Sequence, residues 1–328
     1  MPDRGENIPL FNMTGGAVET ARCYSHTAMA TLFQIYVIHP ETSYAEQAAW
    51  DAFDKVDQLE QEFSRFLPNS DISRINALPK NGSISISVDT YACLQVCKQL
   101  YEITFGAFDI TIGNLYELWL DDDKSLKNPS TRDIKAAQDS TGMHHIRLDS
   151  RNLNLSKLGH NINLDLGGVG KGFALDRIKD VLQDWEIKTA LIHAGYSSVL
   201  ALGKPFQLDG WPVTISDPLG GTKVLTTLFL KHIALSGSGI IKGRHIIDPE
   251  EGKPVHNRIA AWTRGDTAAI CDGLSTALMV MNDAEIERFH NTHPKISLLL
   301  CNRSDQEKDK PPFSEIKDYG FFSESTHQ

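Results

Sequence analysis

Asp272, Ser275 and Thr276 stand three and four residues apart in the segment TAAICDGLSTALMVM, a spacing that places one carboxylate and two hydroxyls on a single helix face. Ile270, Leu274, Ala277, Leu278 and Met281 form an apolar stripe on the other side. Between Thr267 and Met281 the only acidic or basic side chain is Asp272, so this helix is expected to be buried nearly all round. A buried carboxylate must meet a cation or hydrogen-bond donors. With two hydroxyls beside it, the set suits a hard ion such as Mg2+; an Asp that caps a neighbouring loop fits the helix equally well.

A second constellation is NLDLGGVGKGFALD, from Asn163 to Asp176, where Gly167, Gly168, Gly170 and Gly172 surround Lys171 at the start of a helical pattern. Backbone amides and an ammonium are brought to an anion in this way. It is not a P-loop, because Asp165 stands where the first Gly belongs and Gly172 where Ser or Thr belongs. Nor is it the dinucleotide fingerprint, since Phe173 or Leu175 occupies the third Gly position. A purely conformational glycine turn has the same composition. Two further segments carry chemistry: RHIIDPEEGKPV with His245 before a turn, and TFGAFDITIG with Gly106, Phe108 and Asp109 just past a helix end. A lone His in a strand is commonly structural, and Phe108 with Asp109 fits either a flat polar ligand or a packed C-cap.

The elements that must position these residues read as follows. Thr31 to His39 is a strand covered on both faces. Ser43 with Glu46 forms a capping box ahead of a helix carrying Ala49, Phe53, Val56, Leu59 and Phe63. A second helix runs from about Val88 to Thr104 and stops at Gly106; Cys93 and Cys97 lie on it as buried thiols. Leu120 to Gly142 is a polar excursion with a short helix after Ser130, a candidate lid. Then come a strand over Ile162 to Leu166, a helix over Phe173 to Asp184 and a strand over Thr189 to Ile192. Antiparallel strands over Trp211 to Ser216 and Val224 to Leu230 are joined by a turn with Pro218, Gly220 and Gly221. A helix over Thr267 to Met281 and a strand over Ile296 to Cys301 close the chain. Strands, helices and hairpins in this order give an α+β class.

The chain has 328 residues, and 42 acidic against 32 basic side chains leave a net charge of −10, which argues against a nucleic-acid groove. No apolar run approaches the roughly 18 residues of a membrane span, so no transmembrane segment is expected. The N-terminal residues carry neither a signal peptide nor a lipidation site, and five scattered cysteines suit reduced thiols, so a cytoplasmic location is expected.

In chain order, AMATLF (28–33), FSRFLPNSDISRIN (63–76), TFGAFDITIGNL (104–115), LDLGGVGKGFALD (164–176), LIHAG (191–195), ALSGSG (234–239), HIIDPEEGKP (245–254) and CDGLSTALMVM (271–281) resemble the ApbE family of flavin transferases, the FAD:protein FMN transferases. The likeness covers about Thr27 to Arg303. It implies a two-lobed α+β fold of mixed or antiparallel sheets flanked by helices. A loose arm over 1–22 precedes a catalytic domain over 23–305 with its site between the lobes, and a tail covers 306–328. It implies that FAD, the substrate, is held through Met29, Phe66, Ala107, Phe108, Asp109, Asp165, Lys171 and the backbone at Ile247. It also implies Mg2+ on Asp272, Ser275, Thr276 and a backbone oxygen of Gly168, with Asp272 catalytic through that ion and His245 assisting proton removal or orienting the pyrophosphate. The implied reaction is attack by a Ser or Thr hydroxyl of an acceptor flavoprotein on the FMN-side phosphorus of FAD, releasing AMP. With water in place of the hydroxyl the same site is an FAD pyrophosphatase giving FMN and AMP; a non-catalytic flavin-binding protein is the third reading. Departures from the family pattern are Ala30 for Gly, Phe66 for Tyr, Tyr196 for Gly, and Leu235 and Glu251 for Thr. Tyr196 is expected to narrow the site.

Overall fold

Phe33, Ile35 and Val37 point into one core while Tyr36 between them faces another, and the same alternation recurs at Ile192 against Leu191, Leu200 against Val199 and Leu300 against Leu299. Strands with two apolar faces belong in the middle of a layered molecule. The computed structural model describes residues 6–11, 17–121, 125–218, 224–240, 243, 245–303 and 313–322.

Among the described residues nine strands form one antiparallel sheet, and their order in space is their order along the chain. They are β1 (Glu6–Phe11), β2 (Ala17–Ala28), β3 (Thr31–Val37), β4 (Ala190–Ala194), β5 (Ser198–Leu202), β6 (Ala234–Gly239), β7 (Arg258–Gly265), β8 (Ser297–Arg303) and β9 (Phe313–Tyr319). The links between them carry the rest of the molecule. Between β3 and β4 lie α1 (Thr42–Phe63), α2 (Asp71–Asn76), α3 (Val88–Ile103), α4 (Gly113–Trp119), α5 (Thr131–Gln138) and α6 (Gly170–Asp184), with a small sheet of Ser83–Ser85, Asn154–Lys157 and Ile146–Asp149. Between β7 and β8 lie α7 (Ala268–Val280) and α8 (Asp283–Thr292). Apolar residues of α1, α6 and α7 build the larger core on one face. On the other face, the hairpin Trp211–Ser216 and Val224–Leu230 buries Trp211, Ile215, Leu228 and Leu230.

The α+β class is as expected, and several boundaries differ from the sequence reading. Residues 1–22, expected as a loose arm, contribute β1 and the first part of β2, which pair from Glu6↔Cys23 onward. The expected tail over 306–328 contributes β9, paired with β8. Edge strands are held by backbone ladders and need no apolar period; the rest of both segments lies outside the described residues. The capping box of Ser43 and Glu46 does not form. The helix starts two residues earlier, with Glu41 at the N-cap and no side-chain cap, so Ser43 is already in the first turn. Ile162 to Leu166 is not a strand. The Asn76 side chain takes Leu164 N–H at 2.7 Å and donates to its carbonyl at 3.1 Å, replacing the ladder. Gly220 and Gly221 of the expected hairpin turn lie outside the described residues. The polar excursion carries α5 with Ser130 as its cap, but it is tied down. Trp119 Nε1 donates to Gly252 O at 2.6 Å and Gln138 Nε2 to Glu250 O at 2.5 Å, so these described parts brace a turn.

The β2–β3 link is two residues, and both are left-handed: Met29 has φ 49° and Ala30 φ 54°. This is the geometry of a type I′ hairpin, normally filled by Asn or Gly. Glu60 Oε1 accepts the Met29 N–H at 2.9 Å and braces the turn from α1. A side chain in this region costs about 1–2 kcal/mol, part of which glycine returns as unfolded-state entropy. Ala30→Gly is expected to raise the melting temperature by about 1–3 °C; a lower one measured by calorimetry would contradict the strain.

Candidate active site

α6 and α7 cross at a point where α6 tolerates no side chain. A Cβ at Gly172 would stand 2.3 Å from Ala268 O and 2.6 Å from Asp272 Cβ, so only glycine permits the approach. The approach delivers the Gly172 N–H to Asp272 Oδ2 at 2.9 Å, while Ser198 Oγ from β5 donates to Oδ1 at 3.0 Å. Lys171 Nζ lies 3.7 Å from Oδ2 and donates to Gly167 O at 3.2 Å. Asp272 is 3% exposed, and as expected α7 is buried over most of its surface.

Beside this carboxylate runs a seam of hydroxyls. Ser238 on β6 lies 2.8 Å from Ser275 Oγ and 3.2 Å from Thr276 Oγ1. Ser236, two residues back on the same strand face, is fully buried and its Oγ has no hydrogen-bond partner among the described residues. A Cβ at Gly168 would lie 3.4 Å from Thr276 Oγ1 and 3.3 Å from Phe108, so the Gly-rich turn, the Phe108 turn and α7 meet there. Among the described residues no three His, Cys, Asp or Glu side chains converge on a metal position. The donor set is one carboxylate, hydroxyls and backbone carbonyls. All are oxygens, with Gly168 leaving room beside Thr276, and this fits Mg2+, which is commonly held by one or two carboxylates together with substrate phosphates.

The remaining candidates cluster around these elements. Asp165 receives Gly167 N–H on Oδ1 at 2.6 Å and binds Arg65 Nε through Oδ2 at 3.1 Å. The Arg65 guanidinium also meets Glu117 at 2.7 Å and lies 4.6 Å from the centre of the Phe66 ring, which is itself 78% exposed. Phe108 is buried, Ala107 half-buried, and Asp109 accepts Thr111 N–H at 2.8 Å and Thr111 Oγ1–H at 2.6 Å. Burial pushes the Asp109 carboxyl up to about 6, against the pull of those hydrogen bonds. Ile247 is buried in a two-residue strand, Ile247–Asp248, that pairs with Lys253–Pro254. His245 precedes that strand instead of lying within one, and its Nδ1 is 2.9 Å from Gly243 O. The structure thus joins Phe108, Gly168, Lys171, Asp272, Ser275 and Thr276 through direct contacts. Asp165 and Phe66 join through Arg65. Met29 stands at the β2–β3 turn and His245 with Ile247 in the β6–β7 link, each attached through its own neighbours.

Among the family departures, Tyr196 is fully exposed on the β4–β5 turn, Leu235 is buried in the second core, and Glu251 is exposed. Ser198, Ser238, Arg65 and Glu60 were not singled out in the sequence. Ser238 sits inside the quoted ALSGSG, but Ser198 is 74 residues from Asp272 and no local pattern links them.

The ApbE family model matches residues 29–300. The FAD:protein FMN transferase of Buchnera aphidicola subsp. Schizaphis graminum is 31% identical over 251 residues, 69% of this chain and 71% of that protein. That of Chlamydia trachomatis is 31% identical over 263 residues, 74% of this chain and 78% of the relative. Among solved structures, the ApbE protein of Thermotoga maritima superposes with a TM-score of 0.78 at 26% identity, covering 86% of this chain and 94% of that one. The flavin transferase ApbE of Vibrio cholerae gives 0.80 at 22% identity, covering 96% and 97%.

The Asp109 carboxyl-carbon resonance is expected to titrate with a midpoint near pH 6. Its folded-state pKa is raised, so the native form binds the proton more tightly than the unfolded chain. The penalty for burying its charge is therefore relieved as pH falls from about 6 towards 4. Thr111→Val removes the hydroxyl donor and should move the midpoint higher; a wild-type midpoint near 4 would refute the burial effect.

Proposed function

The chain belongs to the ApbE family, and from that premise we propose that it is an FAD:protein FMN transferase whose working centre is the crossing of α6 and α7. The observation that carries this reading is the buried Asp272 carboxylate, oriented by Gly172 N–H and Ser198 with Lys171 alongside, at the mouth of a glycine turn. In the reaction an acceptor Ser or Thr oxygen attacks the FMN-side phosphorus of FAD. A new P–O bond forms, the pyrophosphate P–O bond to AMP breaks, and the hydroxyl proton leaves to a base or to water. Transfer of this kind depends mainly on positioning and on neutralising charge.

The roles follow from position. Mg2+ would be held by Asp272, Ser275, Thr276 and the Gly168 carbonyl. When bound it supplies neutralisation of the pyrophosphate and stabilisation of the AMP leaving group. Lys171 and the positive end of α6 orient the phosphates, the Gly170 and Gly172 amides being already engaged by Leu166 O and Asp272. Phe66, backed by Arg65, offers a face for a flat ring, and Asp109 with Ala107 and Phe108 lines the turn against Gly168. Met29 and the Ile247 backbone bound the flavin, and His245 takes the acceptor proton or orients the pyrophosphate. The acceptor is a flavoprotein presenting a Ser or Thr.

Incubation with FAD, Mg2+ and a candidate acceptor should release AMP and add the mass of FMN to the acceptor. AMP and free FMN without a modified acceptor would point to hydrolysis, and no AMP at all would sink the enzyme reading. Asp272→Ala is expected to lower AMP release by at least about 100-fold, since it removes the one charged oxygen ligand; near-wild-type release would refute the metal assignment. FAD at about 100 times its Kd should stabilise the fold by about 2.7 kcal/mol, read as a raised melting temperature.

A further inference from the structure

α7 starts without a cap of its own, because Thr267 makes no side-chain cap hydrogen bond. Its first two amides are instead satisfied from another helix. Asp176 on α6 accepts Ala268 N–H on Oδ1 and Ala269 N–H on Oδ2, each at 2.9 Å. Asp176 lies one turn beyond Gly172 on the same face of α6, and Gly172 N–H in turn holds Asp272, one turn into α7. The two helices therefore exchange carboxylates: each gives an Asp to backbone amides of the other. The exchange has no slack, since the backbones already touch at Gly172 and Ala268.

Asp176 is 7% exposed, and Lys179 Nζ approaches it only to 3.9 Å, so its charge is offset mainly by the two amides and the positive end of α7. Nothing in the proposed chemistry requires Asp176 to touch substrate. We infer that Asp176 is a positioning residue: by anchoring the first turn of α7 it sets where Asp272, Ser275 and Thr276 stand against the Gly-rich turn, and so sets the coupling between divalent-ion and FAD binding. The inference rests on the proposed reading of that site as the place of ion and pyrophosphate. Groups that orient ligands without touching the ion typically change affinity or activity by about 10- to 100-fold.

The test compares the full-length wild type, Asp176→Asn and Asp176→Glu by calorimetric FAD titration with and without Mg2+, at a temperature where circular dichroism shows each variant folded. In the wild type Mg2+ should tighten FAD binding. In Asp176→Asn, whose amide keeps one acceptor and turns a donor towards α7, that tightening should shrink by at least about 10-fold. Measured with Mg2+, KM for FAD should rise with the lost tightening, and kcat for FMN transfer should fall. Asp176→Glu keeps both oxygens and the charge and should recover part of the loss. An Asn variant with wild-type coupling and kcat, whatever its melting temperature, makes Asp176 a stability cap and overturns the inference. A wild type in which Mg2+ does not affect FAD binding overturns the active-site reading itself, and the inference with it. A measurement free of variants covers the case in which Asp176→Asn does not fold. By reciprocity, Mg2+ with FAD should slow hydrogen exchange of the Ala268 and Ala269 amides in the wild type at least several-fold. Unchanged exchange at those two amides overturns the coupling.

Discussion

Putting one carboxylate out of reach of water, between a sheet and a helix, constrains everything around it. Asp272 is 3% exposed, and an ion pair with Lys171 at 3.7 Å does not by itself offset the loss of hydration. Two donors complete the compensation, Gly172 N–H and Ser198 Oγ–H, and each imposes a demand on a remote part of the chain. The amide requires backbone contact between α6 and α7, hence glycine at 172. The hydroxyl requires β5 to lie under α7 in one register, which the pairing of Ala234, Leu235 and Ser236 with Leu200, Val199 and Ser198 fixes. A one-residue slip would turn Ser198 to the opposite face and leave the carboxylate a donor short.

The meander explains how distant segments reach one centre. Because each strand pairs with its neighbour in sequence, the sheet needs no crossover, and each link is free to carry an insertion. The long β3–β4 insertion brings Phe66, Asp109, Asp165 and Lys171; the β7–β8 link brings α7; the β6–β7 link brings His245 and Ile247. These insertions are then fastened to one another. Trp119 and Gln138 hold the 248–252 turn, and the Asp165 N–H donates to Ile110 O at 2.7 Å. The candidate site is in this sense a contact between loops and helix ends, with the sheet as common floor.

What was legible in the sequence is what local physics decides. A single charge in an otherwise uncharged apolar helix announces a buried carboxylate that must find partners, and α7 has one. Four glycines around a lysine announce a turn that brings amides to an anion, and Gly172 N–H meets the Asp272 carboxylate. What was not legible depends on partners distant in sequence. The stretch from Ile162 to Leu166 has a strand's composition, yet Asn76 captures its backbone from more than eighty residues away. β1 and β9 are held by ladders to β2 and β8, which no apolar period records. α8, by contrast, carries a local signal, the Asn282–Glu285 capping box at its start.

The charge balance at the site bears on how an acidic protein accommodates a pyrophosphate. The chain carries −10 overall, and the cations recorded beside the glycine turn are already engaged. Lys171 faces Asp272, and Arg65 faces both Asp165 and Glu117, which makes two cations against three carboxylates. Side chains alone therefore offer an incoming pyrophosphate no surplus positive charge; the positive end of the α6 dipole supplies only a partial one, with the Gly170 and Gly172 amides already engaged. On the proposed reading, a divalent ion arriving with FAD corrects the deficit at the point where the hydroxyl seam and the Gly168 turn meet. Neither partner then finds a complete site without the other: the ion has one carboxylate and neutral oxygens, and the pyrophosphate has paired lysine and arginine. Each must raise the affinity of the other by the same factor. A cage of several carboxylates would hold the ion alone but would repel the substrate's phosphates, so a single acidic ligand is what this electrostatic setting favours.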